Sequence, residues 1–513
     1  MSPVAKNHVP LLLAALVLVA AAACAPDVDD AVSPFDGDET DDSVGSGPGG
    51  KADGATSYRS GCGAPIRTGA YALKGNVVTP TGVLVNGYVV VEDEMIREVR
   101  TRAQGLPADV ASAVSTNGII FPGLLDGHSH VEYNHVPLAD LGRRYGNRDQ
   151  WPNAALYKTL VKDPKNAVTA AGLKCEALKH GEARALVGGT TGIQGTPQTA
   201  CVRPMVRNLE NVNFCEDRVR QNVMGVSGFD RSISGAPSFA DAIADDIAHD
   251  KLDAVVLHIG EGIDEHALGE WQIVKDLGLD VPQLVMIHAA AFTATELGET
   301  SSAGAKIVWS PLSNLLLYGA TANIPAALDA GVLVSLGADW APSGSANVLG
   351  ELKVADRVNQ KLWAGRITDE ELVQMVTINP AVTFGMDAEV GSIEPGKYAD
   401  LMVVKKLTGK SAYRALIEAR PQDVLLVAIS GDPLFGTTAL MDKLGKSGDY
   451  EVIDACGSPR AIDVTVVASD VPEADQSLAS IESQLLAVNP RLTPVIDCTN
   501  DEALKAYAGT AVE

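Results

Sequence analysis

From about residue 119 to residue 385 the chain alternates short apolar runs with loops and helical stretches, and this alternation constrains the fold most. A helix between two strands returns the chain to the same end of the sheet, so successive strands pair in parallel. An alternation of this length is typical of a (β/α)₈ TIM-type barrel, which takes about 250 residues. An eighth strand is expected between residues 195 and 253, and the other seven candidates are Ile119–Asp126, Gly189–Gln194, Asn222–Val226, Ala254–His258, Leu284–His288, Lys306–Ser310 and Val332–Gly337.

The segments on either side of this region have a different pattern. Residues 66–118 alternate apolar runs with Gly and Asn turns, as antiparallel strands do, and a similar pattern returns after residue 390. We expect residues 58–118 and 390–444 to form one small β-sandwich domain beside a barrel at 119–389. Residues 445–513 form a C-terminal extension, and its amphipathic stretch at 477–486 is expected to pack on the core.

The N-terminus has the features of an export signal. Lys6 and His8 precede an apolar run, Leu11–Ala23, which is shorter than the roughly 20 residues that span a bilayer. Small residues directly before Cys24 resemble a bacterial lipobox, so we expect residues 1–24 to be a lipoprotein signal with lipidation at Cys24. An ordinary cleaved signal peptide is the alternative. Ala25 after the cysteine favours a cell-envelope lipoprotein of the outer membrane or periplasmic face.

Charge and cysteine content narrow the possible partners. The acidic, Gly- and Ser-rich residues 25–57 are predicted to be a disordered linker. The formal net charge is −25 and no basic cluster occurs, which argues against a nucleic-acid partner. Six cysteines remain besides Cys24, an even number that predicts disulfides in an exported protein. Cys456 and Cys498 are the favoured pair because both lie in the extension, and no pattern indicates an oligomeric state.

Imidazoles end several of the candidate strands. His128 and His130 are two residues apart at the end of the first strand, so their side chains share a face and are spaced to chelate one metal ion. His258, His288 and Asp339 end three later strands. In a parallel barrel these strand ends meet at one mouth, where catalytic groups lie.

Several motifs together resemble the metal-dependent amidohydrolase superfamily, near the branch that contains cytosine and guanine deaminases and triazine hydrolases. The resemblance covers about residues 66–435. It is carried by PheProGlyLeuLeuAspGlyHisSerHis ending at His130, HisIleGlyGlu at His258–Glu261, SerProLeuSerAsnLeuLeuLeuTyrGly at Ser310–Gly319, GlyValLeuValSerLeuGlyAlaAsp at Gly331–Asp339, and ThrIleAsnProAla.

This resemblance implies a metal site. His128, His130, His258 and Asp339 would hold one divalent ion, and three imidazoles with a carboxylate suit Zn²⁺ or Fe²⁺. Such an ion lowers the pKa of a bound water to about 7 and so supplies hydroxide. No Lys occurs between residues 179 and 251 to bridge a second ion, which agrees with a single metal.

The resemblance also implies roles for residues around the ion. Asp339 could take the proton from the water, and His288 would hydrogen-bond the forming oxyanion. Glu261 would carry a proton to the leaving nitrogen. The candidate substrate contacts are Gln194, Ser310, Asn314 and Trp340.

The predicted activity is hydrolysis of a carbon–nitrogen bond, other than a peptide bond, by metal-bound hydroxide. The substrate would be a small cyclic amide, amidine or amino-heterocycle. A metallo-dipeptidase or imidase of the same superfamily is one alternative, and a catalytically silent binding lipoprotein on the same scaffold is another. A long loop after the first strand, residues 132–165, carries Arg143, Arg144 and Trp151 and could cover the site.

Overall fold

The computed structural model describes residues 68–195, 205–210, 218–222, 238–465 and 475–498. The predicted signal segment, Cys24 and the acidic linker lie outside these residues. Within the described ranges no helix is both long enough and apolar enough to cross a membrane.

A nine-stranded sheet is built from both ends of the chain. Its strand order is β16-β17-β15-β14-β13-β4-β1-β2-β3, and all neighbours are antiparallel except β1 and β4. The flanking segments therefore join in one sheet, and its predicted division into two packed layers stays a prediction. The strands are β1 (Ala70–Thr79), β2 (Gly82–Glu92), β3 (Met95–Arg100), β4 (Val114–Pro122), β13 (Leu401–Lys405), β14 (Val424–Ile429), β15 (Asp432–Gly436), β16 (Glu451–Asp454) and β17 (Pro459–Ile462).

Eight further strands are all parallel to their neighbours and lie in two sheets, ordered β5-β6-β7 and β12-β11-β10-β9-β8. The first and last of them approach each other, because the Gly127 amide donates to the Leu336 carbonyl at 2.9 Å. The strands are β5 (Leu124–Asp126), β6 (Thr190–Ile193), β7 (Arg207–Asn208), β8 (Val219–Asn222), β9 (Ala254–Ile259), β10 (Leu284–His288), β11 (Lys306–Trp309) and β12 (Val334–Leu336).

The first predicted barrel strand, Ile119–Asp126, is two strands in the structure. Residues up to Pro122 belong to β4 and pair with β1 and β13 of the nine-stranded sheet. The break falls at Gly123, where an added Cβ would lie 2.1 Å from Thr191 Oγ1. Only a glycine allows this close approach, so the parallel strands begin at Leu124 rather than at residue 119.

Apolar residues of many helices and of the parallel strands make one large buried cluster, whereas α13 (Thr438–Lys443) packs on the nine-stranded sheet. Two helices begin with a capping box, Thr293 with Glu296 and Thr368 with Glu371, which satisfies amides of the first turn. The helices are α1 (Ala155–Tyr157), α2 (Asp163–Ala170), α3 (Lys174–Leu186), α4 (Phe239–Ala248), α5 (Glu265–Asp276), α6 (Ala294–Ala303), α7 (Pro311–Tyr318), α8 (Ile324–Ala330), α9 (Val348–Leu362), α10 (Asp369–Gln374), α11 (Ile378–Thr383), α12 (Ala412–Ile417), α13 (Thr438–Lys443) and α14 (Leu478–Val488).

The C-terminal extension is joined to the rest of the molecule in two ways. Its strands β16 and β17 lengthen the nine-stranded sheet, and α14 packs against α3. A disulfide links Cys456 to Cys498, the pair favoured from the sequence. Cys175 is disulfide-bonded as well.

Candidate active site

Three imidazoles meet at the carboxyl ends of the parallel strands. His128 and His130 follow β5 directly, and His258 lies in β9. Their ligand nitrogens all lie within 4.8 Å of one another. The ring centroids of His128 are 4.7 Å from those of both His130 and His258. All three side chains are buried, as expected for a preformed site.

Asp339 completes this group from the loop after β12. Its Oδ1 lies 3.6 Å from Nε2 of His128 and 3.6 Å from Nε2 of His130. The Asp339 amide donates to the His128 carbonyl at 2.8 Å, and the His130 amide donates to the Asp339 carbonyl at 2.7 Å. Asp339 adopts a left-handed φ of 61°, a conformation that aspartate tolerates better than most residues and that recurs at functional sites.

A second group shares His258 with the first. Ligand atoms of His258, Glu261 and His288 also lie within 4.8 Å of one another. His288 Nε2 is 3.7 Å from Glu261 Oε1, and its ring centroid is 5.2 Å from that of His258. His288 has a left-handed φ of 77° at the end of β10. Glu261, the predicted proton carrier, and His288, the predicted hydrogen-bond donor to the oxyanion, therefore lie beside the imidazole cluster.

Gln194 determines how His128 presents its ring. The amide nitrogen of Gln194 donates to Glu210 Oε1 at 2.7 Å and to Gln221 Oε1 at 2.9 Å, so the amide oxygen faces His128. His128 Nδ1 lies 3.0 Å from this oxygen and must be the protonated nitrogen. His128 Nε2 then carries a lone pair. The structure thus places Gln194, a predicted substrate contact, behind a predicted metal ligand.

Asn314 has a similar relationship to His288. Its Oδ1 lies 2.8 Å from His288 Nδ1, and its Nδ2 donates to Thr321 Oγ1 at 3.3 Å. This geometry makes Nδ1 the donor and points Nε2 of His288 toward Glu261. Ser310, at the end of β11, is buried, and its hydroxyl makes no hydrogen bond to any atom of the described residues.

The loop after β5 reaches over the site and braces it. Arg148 donates to the His258 carbonyl at 2.9 Å and to Glu270 Oε1 at 2.6 Å. Glu270 in turn accepts from the Gly260 amide at 2.7 Å, so the turn between His258 and Glu261 is held on both sides. Sequence reasoning missed Arg148, which lies 110 residues from the carbonyl it contacts.

Glu261 itself is held by aromatic residues. The Tyr318 hydroxyl donates to Glu261 Oε1 at 2.6 Å, and Trp151 Nε1 donates to the Tyr318 hydroxyl at 3.0 Å. Tyr318 is the last residue of α7 and Trp151 belongs to the loop after β5. Trp151 lies in the long loop predicted from the sequence and Tyr318 in the Ser310–Gly319 motif, but no local pattern indicates that their side chains are in contact.

A group of buried aromatic rings adjoins the imidazoles. The Trp340 ring lies 6.4 Å from His130, 5.3 Å from Tyr133, 5.5 Å from Trp151 and 6.2 Å from Tyr157, measured between centroids. The predicted substrate contact Trp340 is therefore at the edge of the cluster. Arg143, by contrast, stacks on Tyr145.

Burial keeps His130 and His258 ready to bind a cation, whereas for His128 the effect of burial is outweighed by Asp339, which raises its pKa. Burial, together with the charge of His128, lowers the pKa of His130 to about 3. Burial and the neighbouring histidines also lower the pKa of His258 well below its usual value. Burial alone would raise the pKa of Asp339, but the neighbouring imidazoles of His128, 3.6 Å away, His288 and His130 lower it to about 2. At neutral pH the imidazoles of His130 and His258 are neutral and Asp339 is ionised.

These residues fit a divalent metal ion. Three buried imidazole nitrogens and an ionised carboxylate make a donor set that suits Zn²⁺. His128 Nε2 is buried and has no hydrogen-bond partner among the described atoms, which is costly unless a cation takes its lone pair. Excess negative charge from one aspartate would also be neutralised by the ion.

A profile of the Amidohydrolase family matches residues 119–434, which is more than half of the chain. The chain belongs to the amidohydrolase family. Members of this family use a divalent metal, and the chain is accordingly a hydrolase that acts on carbon–nitrogen bonds.

Curated amidohydrolases similar to the chain include two kinds of enzyme. The 5-methylthioadenosine/S-adenosylhomocysteine deaminase of Pyrococcus furiosus is 25% identical over 410 residues, covering 72% of this chain and 89% of the relative. The S-triazine hydrolase of Gordonia rubripertincta is 29% identical over 167 residues, covering 31% of this chain and 35% of that protein.

Solved structures show the same fold. An adenosine deaminase from Xanthomonas campestris with bound zinc superposes with a TM-score of 0.56 at 20% identity, over 73% of this chain and 96% of that one. An atrazine chlorohydrolase from Arthrobacter aurescens complexed with zinc gives 0.56 at 17% identity, over 82% and 100%. At these identities the likeness speaks for the fold alone.

Proposed function

We propose that this amidohydrolase is a zinc-dependent hydrolytic deaminase of an amino-substituted nitrogen heterocycle. The observation that carries the proposal is the arrangement of Glu261 and His288 beside the imidazoles of His128, His130 and His258. This arrangement puts proton-transfer groups within reach of the atoms around a bound ion.

His128, His130, His258 and Asp339 would hold the ion. When bound, it would lower the pKa of a coordinated water toward neutrality and polarise the carbon–nitrogen bond under attack. Asp339, ionised and 3.6 Å from two of the imidazoles, can accept a proton from a nucleophilic water. Gln194 keeps His128 in the tautomer that presents Nε2.

Glu261 and His288 would complete the reaction. Water adds to the carbon that bears the amino group; Glu261 transfers one of its protons to the leaving amine, which departs as ammonia, and the proton accepted by Asp339 passes to the ring nitrogen of the carbonyl product. His288, held through Nδ1 by Asn314, directs Nε2 toward the same place; with a proton on Nε2 as well, the ring would stabilise negative charge that develops on the substrate.

The aromatic rings around Trp340 favour a planar substrate. Trp340 lies 6.4 Å from His130 between ring centroids, and Tyr133, Trp151 and Tyr157 lie 5.3 to 6.2 Å from Trp340, so flat apolar rings extend from the imidazoles. Each arginine of the loop has a partner: Arg148 donates to Glu270 and a carbonyl, Arg144 donates to the Leu316 carbonyl, and Arg143 lies over the Tyr145 ring. This favours a heterocycle over a dipeptide, whose carboxylate needs a cation. The names of the similar deaminases give heterocyclic substrates: 5-methylthioadenosine and S-adenosylhomocysteine in one case and adenosine in the other.

The test compares Glu261→Gln with the parent enzyme and with Glu265→Gln, which changes an exposed carboxylate four residues away. Adenosine, 5-methylthioadenosine, guanine and an amino-triazine are supplied to the zinc-loaded protein, and ammonia release is measured. We expect turnover of at least one compound. Glu261→Gln should keep one zinc per chain and lose about 10²- to 10⁴-fold in kcat, whereas Glu265→Gln should match the parent.

Other outcomes would replace this proposal. Cleavage of dipeptides or imide rings without ammonia release from the heterocycles would favour the dipeptidase or imidase alternative. Zinc-loaded protein that binds these compounds and turns over none of them would favour a silent binding protein. A Glu261→Gln variant as active as the parent would remove the proton-transfer role. Elemental analysis of purified protein decides between zinc and iron.

We also infer that the two parallel sheets are arcs of one closed barrel, with the flanking strands as a small β-domain. The amide-to-carbonyl contacts between the loops after β5 and β12 support closure on one side. A crystal structure with residues of β7 and β8 paired would verify it, and a persistent opening between them would contradict it.

A last proposal concerns location. We propose that the chain is exported and anchored by a lipid on Cys24, because of the apolar run before that cysteine and because disulfides such as Cys456–Cys498 form in oxidising compartments. Fractionation of cells with and without Cys24→Ser tests this. The parent should sediment with membranes and take up labelled palmitate, and the variant should do neither; equal behaviour would overturn the proposal.

A further inference from the structure

We propose that Tyr318 is a positioning residue that fixes the Glu261 carboxylate so that Oε2, not Oε1, carries the proton during turnover. This inference rests on the proton-transfer role of Glu261 proposed above. It adds a residue whose hydroxyl acts through Glu261 and not on the metal ion.

The contact is short and buried. The Tyr318 hydroxyl lies 2.6 Å from Glu261 Oε1, a distance typical of a hydroxyl that donates to a carboxylate. Tyr318 and Glu261 are 2% and 5% exposed, so water does not compete for this hydrogen bond. Burial and the negative charge of Glu261 raise the pKa of Tyr318 well above its usual value, so its hydroxyl keeps the proton.

Trp151 settles the direction of the hydroxyl hydrogen. An indole Nε1–H only donates, and it lies 3.0 Å from the Tyr318 oxygen. The tyrosine therefore accepts from Trp151 and has one hydrogen left to give, which points at Glu261 Oε1. The Trp151 ring is itself held by Tyr157 and Trp340, with centroids 5.1 and 5.5 Å away. Trp151 thus fixes the orientation of the Tyr318 hydroxyl.

This direction assigns different tasks to the two carboxylate oxygens. Oε1 already accepts the Tyr318 hydrogen, so a proton placed on Oε1 would have to displace this hydrogen bond. Oε2 can take the transferred proton while the hydrogen bond from Tyr318 to Oε1 stays in place. Tyr318 therefore orients the carboxylate and selects the oxygen that exchanges the proton with substrate.

The first arm of the test is kinetic and uses the zinc-loaded enzyme. Tyr318→Phe keeps the ring and removes the hydroxyl; Tyr450→Phe is the matched control, because Tyr450 donates to Asp442 at 2.9 Å far from the site. We expect Tyr318→Phe to lose about 10- to 100-fold in kcat with KM within about threefold, since a misplaced catalytic group costs this much. The zinc Kd should stay within about threefold of the parent.

A double variant separates positioning from packing. If Tyr318 acts through Glu261, the Tyr318→Phe/Glu261→Gln enzyme should be within about threefold of Glu261→Gln alone. Independent, multiplying losses would overturn the inference, as would a zinc Kd weakened tenfold or more by Tyr318→Phe. Either result leaves the deaminase proposal intact, because the parent and Glu261→Gln measurements do not depend on it.

The second arm needs no turnover. In metal-free protein, Tyr318→Phe removes the donor from a buried carboxylate and should lower Tm by about 2 °C or more. In the Glu261→Gln background the loss should be no more than half as large, because a neutral amide needs the donor less. An equal loss in both backgrounds would show that the hydroxyl does not act on Glu261. This arm stands even if no tested compound is deaminated.

Discussion

His128 Nδ1 donates a 3.0 Å hydrogen bond to Gln194 Oε1, and this contact leaves His128 Nε2 pointing at Asp339. The orientation of Gln194 is itself determined, because Glu210 and Gln221 take both hydrogens of its amide. A chain of four side chains thus sets the tautomer of one predicted metal ligand.

Replacing Gln194 should therefore weaken metal binding without removing a ligand. Gln194→Met keeps the length of the side chain and loses the acceptor for His128. We expect the zinc Kd to rise about 10- to 100-fold, as is usual when such a partner is lost. Competition with a chromophoric chelator measures it. The control is Gln272→Met, which changes an exposed residue of α5 and should bind zinc as the parent does. An unchanged zinc Kd in Gln194→Met would show that His128 needs no such partner.

Removing a ligand should have a larger effect. His128→Ala and Asp339→Ala should each lose zinc and ammonia-releasing activity together, because each removes one of four donors around the ion. The control is His249→Ala, since His249 lies exposed at the end of α4. Metal content by elemental analysis and kcat are compared in the three proteins. Full metal content in both His128→Ala and Asp339→Ala would refute the ligand assignment.

Acid should destabilise the protein through His135. This side chain is fully buried between the loop after β5 and the C-terminal segment, where its Nδ1 lies 3.2 Å from Asn489 Nδ2. Burial, aided by the charges of Arg184 and Lys165, lowers its pKa to about 4. The unfolded chain binds a proton near pH 6.5 and the folded chain does not. Stability is therefore complete above pH 6.5 and declines as the pH falls toward 4.

The variant His135→Asn, which keeps an acceptor near Asn489, isolates this effect. The parent should lose stability relative to the variant by up to about 1.4 kcal/mol per pH unit between pH 6.5 and 4. Denaturant unfolding of both metal-free proteins at several pH values measures the difference, and all other titrating groups cancel. A difference independent of pH would mean that folding does not lower the pKa of His135.

The disulfide between Cys456 and Cys498 should stabilise the C-terminal extension. It closes a loop with a sequence separation of 42 residues, and loops of this size contribute roughly 2–4 kcal/mol. The free energy of unfolding of the double variant Cys456→Ser/Cys498→Ser should be lower than the parent's by this amount, so its denaturant midpoint should fall. Its zinc content should stay at the parent's value. Equal midpoints for the two proteins would show that the bridge adds nothing to stability.

Much of the fold follows from local pattern. The strand β10 has the predicted bounds, and β9 differs from its prediction by one residue, because both are apolar runs between clear breaks. The strand β7 was only placed within an interval, since a two-residue strand, Arg207–Asn208, has neither length nor apolar character to mark it. The split at Gly123 was missed because it depends on the approach of Thr191, 68 positions later.

The site divides in the same way. The positions of the histidines and Asp339 could be predicted because each lies at the end of an apolar parallel strand or just after it. Tyr318 and Trp151 could not, since their contacts join residues 57 and 167 positions apart. Gln194 and Asn314 were expected near the substrate, whereas they hold His128 and His288. Position at a strand end shows which residues reach the mouth; only packing shows what each one touches.

The junction at Gly123 joins the parallel strands directly to the nine-stranded sheet. His128 comes six residues after β4 ends, so the predicted metal ligands His128 and His130 are anchored to the nine-stranded sheet. A fragment cut at the family boundaries, 119–434, would begin inside β4 and lose β1, leaving an open edge directly beside the ligand pair. Truncated versions of this enzyme should therefore begin before Ala70, and versions that begin later and lack β1 should aggregate.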